Sequence, residues 1–124
     1  MTPLSCRVLL VDDEALLRRS CNRLLKSMGC TVDEAETGRV ALDLVRANPD
    51  AYDVVLMDLT MPDMDGVEAS RQLGTLAPAL PIIVSSGYAA TDIVEKGRVF
   101  SLTKPYTGAA LEAALREAIG SRGS

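Results

Sequence analysis

"VVLMDLTMPDMDG", Val54 to Gly66, opens with four apolar residues that run straight into an acid. Val54, Val55, Leu56 and Met57 read as a strand with no polar face, the pattern of a strand covered on both sides in a parallel sheet. Asp58 closes the run, and a carboxylate is expensive to bury without a partner. The stretch therefore predicts a central strand whose carboxyl end opens on a functional pocket.

Outward from this strand, short apolar runs alternate with stretches of helical period. Toward the N-terminus, "RVLLV" (Arg7–Val11) reads as a strand. From Glu14 onward, Leu17, Cys21, Leu24, Leu25 and Met28 form one stripe of an amphipathic helix that Gly29 stops. "CTVDEA" (Cys30–Ala35) alternates as a more exposed strand would. Val40, Ala41, Leu44 and Val45 mark a second helix, which Pro49 prevents from continuing. Toward the C-terminus a helix is predicted from about Val67 to Leu73, then a strand over Leu80–Ser86, a short helix within Ala89–Lys96 and a strand over Arg98–Thr103. Thr107 is the expected N-cap of a last helix striped by Leu111, Ala114, Leu115, Ala118 and Ile119. Five β–α units in this order predict an α/β, doubly wound, five-stranded parallel sheet with helices on both faces. The favoured strand order is the flavodoxin-like 2-1-3-4-5. No internal repeat or linker breaks the pattern. One domain is expected over residues 6–120, with flexible ends at 1–5 and 121–124.

Composition narrows the function classes. A chain of 124 residues with 48% hydrophobic content can hold one core. Net charge −4 argues against a broad nucleic-acid surface. No apolar run approaches the roughly 18 residues of a membrane helix, and Arg7 interrupts the apolar start, unlike a signal peptide. Three cysteines without a Cys-x-x-Cys pair fit a reduced, cytoplasmic setting and read as small buried hydrophobes. Histidine is absent, which removes histidine-based nucleophile pairs and the usual zinc sites.

Ligands in such sheets bind beyond the carboxyl ends of the strands. There the first strand delivers Asp12 and Asp13, the third Asp58, the fourth Ser85 and Ser86, and the fifth leads into Lys104 and Pro105. Three carboxylates within a few ångström repel unless a cation joins them, and Lys104 offsets only one charge. A hard divalent cation with oxygen ligands suits the set, and Mg²⁺, which takes few carboxylates, suits the count. A metal and a lysine beside one carboxylate describe a phosphoryl-transfer site with Asp58 as nucleophile. Plainer readings exist: Asp12–Asp13 as acids at a helix start, Lys104 as a surface lysine. "DMDG" (Asp63–Gly66) has the look of a calcium loop but lacks its acids at Met61 and Gln72.

"LLVDDE", "VLMDLTMPDMDG", "IIVSSG" and "LTKP" together resemble the receiver domain of bacterial two-component response regulators, in the right order along nearly the whole chain. The resemblance implies Asp58 as phosphoacceptor. It implies Mg²⁺ held by Asp13, Asp58 and the backbone carbonyl of Thr60, with Asp12 helping through water. Ser86, followed by the small Gly87, would bond one phosphoryl oxygen and Lys104 another; strand alternation admits only one of Ser85 and Ser86 to the site. The implied partner is a sensor histidine kinase or a histidine phosphotransfer protein docking near the first helix, where Arg18, Arg19 and Arg23 read as solvated charges. No direct contact with nucleic acid or membrane is implied, the expected state is a monomer or weak dimer, and signal would leave by protein contact or through domains outside this sequence.

Two departures stand out. The family's aromatic residue three positions before the lysine is Ser101 here, and the adjacent Phe100 points to the other face. Ser86 and Lys104 stand 18 residues apart, which predicts a shortened fourth helix. That helix and "SSGYAA" resemble receivers appended to hybrid sensor kinases, and Tyr88 would shade the phosphate from water. Tyr106 is expected to pack against the last helix. Rival readings are a non-phosphorylated docking module and an aspartyl-phosphate phosphatase; the latter wants an acid where Thr60 stands.

Overall fold

The computed structural model describes residues 4–58, 66–86 and 99–122. The chain runs β1 (Arg7–Val11), α1 (Ala15–Ser27), β2 (Thr31–Ala35), α2 (Gly38–Ala47), β3 (Val54–Asp58), α3 (Gly66–Leu76), β4 (Ile82–Ser86), β5 (Val99–Thr103) and α4 (Gly108–Arg122). All strand pairings are parallel, and the order is β2-β1-β3-β4-β5. The flavodoxin-like arrangement read from the sequence is the one observed. The predicted short helix within Ala89–Lys96, Tyr88 and Thr60 lie outside the described residues.

Every residue of β3 is buried, as an unbroken apolar run in the middle of a parallel sheet requires. β2 lies at the edge and keeps only Ala35 buried, which is why its sequence alternates. Alternation divides the core into two layers. Leu9, Val11, Val55, Met57, Ile82 and Val84 face α2 and α3. Val8, Leu10, Val54, Leu56 and Ile83 face α1 and α4 through Leu25, Leu111, Leu115 and Ala118.

Local chemistry fixes the helix ends. Thr37 Oγ1 accepts from the Val40 N–H at 3.1 Å, and Thr107 Oγ1 from the Ala110 N–H at 3.0 Å, so both helices start on a side-chain cap. α1 ends where Gly29 takes φ 98°, a left-handed turn in which the Gly29 N–H reaches the Lys26 carbonyl and the Cys30 N–H the Leu25 carbonyl. That turn points the chain directly into β2.

Two helical stripes differ from the expectation. Leu17 is 46% exposed and Val40 40% exposed. The inward face of α1 takes in Arg18 beside Cys21, Leu25 and Met28, and that of α2 takes in Gly38 and Leu42 beside Ala41 and Val45. Both are true i, i+3, i+7 faces; Cys21, Leu24, Leu25 and Met28 of α1, and Ala41, Leu44 and Val45 of α2, pack on the core as expected, so only Leu17 and Val40 fall off their stripes.

Candidate functional site

β1 ends at Val11, and the Asp12 N–H continues its ladder by donating to the Ala35 carbonyl of β2 at 3.1 Å. Asp12 Oδ1 then accepts from the Glu14 N–H at 2.9 Å, a local turn that launches α1. Asp12 is thereby drawn inward and Asp13 left exposed. Asp58, the last residue of β3, is buried, and its Oδ2 lies 3.2 Å from Lys104 Nζ just beyond β5. Carboxylate oxygens of Asp12, Asp13 and Asp58 all lie within 4.8 Å of one another. Burial, above all, pushes the Asp12 carboxyl above the ordinary carboxylate range; the Glu14 N–H opposes this, and Asp58 adds to it. A group of oxygen donors this close and this negative fits a hard divalent cation.

Beside Asp58 opens a cavity of about 480 Å³, bounded in part by Asp12, Ser85, Lys104, Cys21 and Tyr106. Ser85, in register with Asp58 across the β3–β4 pair, is the serine the structure shows in this wall; its Oγ donates to the Met57 carbonyl at 3.5 Å. Ser86 pairs through its backbone with Thr103, and its side chain lies outside the described residues. Phe100 packs into the layer under α1 and α4, while Ser101 is exposed. The Tyr106 hydroxyl reaches Cys21 Sγ of α1 at 3.8 Å, and burial raises its pKa.

One participant escaped the sequence reading. Arg18 is no solvated charge: its side chain is 15% exposed and its Nη1 donates to the Asp12 carbonyl at 2.8 Å. The available signal was its position seven residues before the buried Leu25, on the inward face. Arg19 and Arg23 are exposed, as expected.

A family model described as the response regulator receiver domain matches residues 8–116. The chain belongs to the response regulator receiver domain family. This receiver domain is 35% identical over 117 residues to the sensor kinase CckA of Brucella abortus, covering 91% of the chain and 12% of that protein. It is 44% identical over 78 residues to the response regulator MprA of Mycolicibacterium vanbaalenii, covering 63% of the chain and 33% of that protein. The receiver domain thus spans a third or less of the length of these two relatives. Among solved structures it superimposes on a response regulator receiver domain protein from Clostridium thermocellum with TM-score 0.87 at 27% identity, covering 95% of this chain and 97% of that one. The receiver domain of a sensor histidine kinase from Pseudomonas aeruginosa, described with a magnesium ion coordinated in its active-site cleft, matches with TM-score 0.83 at 27% identity, covering 94% and 98%.

Proposed function

We propose that this receiver domain accepts a phosphoryl group on Asp58 from a phosphohistidine of a sensor histidine kinase or histidine phosphotransfer protein. The observation that carries the reading is the meeting of three carboxylates within 4.8 Å with Lys104 held 3.2 Å from Asp58. Asp12, Asp13 and Asp58 would hold Mg²⁺, joined by the Thr60 carbonyl, which the family motif supplies. Mg²⁺, when bound, neutralises charge on the phosphoryl oxygens, the main requirement of this chemistry.

The chain's own residues do the rest. An Asp58 carboxylate oxygen forms the bond to phosphorus as the phosphorus–nitrogen bond of the donor breaks, its electron pair staying on the imidazole. Lys104 pairs with Asp58 beforehand and shifts to a phosphoryl oxygen afterwards, so no new cation need be recruited. Ser86, from the family motif, would hydrogen-bond a second phosphoryl oxygen. The added charge of about −1.5 to −2 then biases the surrounding segments between two arrangements and so switches protein contacts. This is a domain that turns over once per signal, acting in the cytoplasm as a monomer or weak dimer. Among the described residues no helix is long and apolar enough to cross a membrane. The likeness to CckA along 91% of the chain favours a second setting, a receiver within a larger hybrid kinase.

Acetyl phosphate with Mg²⁺ provides the test, read by intact mass. The wild-type chain is expected to gain one phosphate; Asp58→Asn, or wild type with the metal chelated, none. Release of many phosphates per chain would identify a phosphatase instead, and no labelling at all a docking module.

A further inference from the structure

Asp12 is held through both of its backbone polar groups. Its N–H donates to the Ala35 carbonyl of β2, and its carbonyl accepts from Arg18 Nη1 at 2.8 Å. The same guanidinium donates through Nε to Glu34 Oε1 at 2.7 Å, and Asn22, one turn further along α1, donates to the other Glu34 oxygen. Glu34 precedes Ala35 on β2. One planar cation thus ties helix, edge strand and acidic turn together, with Arg18 only 15% exposed.

The arrangement answers a specific difficulty. Asp12, Asp13 and Asp58 repel one another before any cation arrives, and a short turn that is free to relax would let its two carboxylates drift apart. A guanidinium has donors in a rigid fork, so it can satisfy a carbonyl and a carboxylate together; an ammonium group has no such fixed geometry. We infer that Arg18 is a positioning residue for metal binding, fixing through Glu34 and the Asp12 carbonyl the turn that presents Asp12 and Asp13. The inference rests on the reading of this site as a magnesium-dependent phosphoacceptor.

Geometry and charge predict opposite signs, which makes the inference testable. Arg18 is a cation near a cation site, so by charge alone its removal, which also frees the negative Glu34, would tighten Mg²⁺ binding. If positioning governs, removal weakens binding. Mg²⁺ affinity of the whole chain is measured by isothermal titration calorimetry, with Tm followed in parallel. Arg18→Met is expected to raise the Kd about tenfold, the scale seen for groups that support metal ligands from behind. Arg18→Lys, which keeps the charge but loses the fork, should raise it by less. Arg7→Met removes a different ion pair made to β2, that of Arg7 on β1 with Asp33, at the end remote from the site, and should leave the Kd unchanged. A Kd for Arg18→Met equal to or below wild type overturns the inference. Should that variant not fold, Arg18→Lys decides, because an unchanged Kd with the charge retained leaves geometry no role. A wild-type chain that binds no Mg²⁺ sinks both the inference and the reading beneath it; wild-type binding with indifferent Arg18 variants sinks the inference alone.

Discussion

Cys6 and Cys30 flank the start of the β1–β2 pairing, with Sγ atoms 3.4 Å apart and both side chains buried. Burial first, then the neighbouring thiol, pushes Cys6 up to about 12 from an ordinary 9.0. The consequence is a sign, not just a size. Above about pH 9 the unfolded chain gives up this proton while the fold retains it, so the folded state binds more protons and stability falls as pH rises. Cys30 is shifted the same way by burial, and Tyr52 is raised to about 12 by burial and by its hydrogen bond to Asp33. Urea melts are therefore expected to lose stability progressively between pH 9 and pH 12, by up to about 1.4 kcal/mol per pH unit for each fully titrating group. Cys6→Ala should flatten that decline; an unaltered slope would show that the thiol is not held neutral by the fold. At neutral pH the pair is unreactive for the same reason, in keeping with its role as packing.

At the scale of elements, α1 shows what the sequence could and could not disclose. Its existence, length and glycine stop were legible, because periodicity and a left-handed terminus leave a compositional mark. The inward place of Arg18 was not, since one polar residue on that face looks like noise when apolar residues are counted. The strands were the most readable, β1 and β3 to the residue, because a sheet covered on both sides tolerates no polar interruption before the strand ends. The acids and Lys104 were legible for a related reason: each lies at or within two residues of a strand's carboxyl end, so its position is fixed once the strand is. The role of Arg18 depends on contacts to β2 and to a backbone carbonyl, and no local pattern encodes those. Side-chain burial on α1 also sets stability. Leu25→Ala, at a fully buried position, is expected to cost about 2–5 kcal/mol in chemical denaturation. Leu16→Ala, at a position 76% exposed, should stay within about 0.5 kcal/mol. Equal losses would mean that the helix is rotated from the face described.

For the whole molecule, charge is unevenly placed: a chain of net charge −4 gathers three carboxylates at one end of its sheet. Such a concentration opposes folding unless a cation is present, which links metal to stability. Mg²⁺ at a hundredfold excess over its Kd should stabilise the wild-type chain by about 2.7 kcal/mol, seen as a rise in Tm. Asp12→Asn keeps an oxygen able to accept from the Glu14 N–H but removes one of the repelling charges. Metal-free, this variant should melt above wild type by about 4 °C, corresponding to about 1 kcal/mol, and should respond less to Mg²⁺. A variant that melts lower without metal would show that the carboxylate is a net support of the fold.

The unbroken burial of β3 has a mechanical meaning. Asp58 is the tip of a rod clamped along its length between two neighbouring strands and two layers of side chains. Such a rod cannot retreat when its tip is modified, because interiors packed this densely resist deformation. If Asp58 takes up a phosphate as proposed, the displacement that announces it would have to be made by whatever approaches the tip, and Lys104, partly exposed just past the end of β5, is a near neighbour with room to travel.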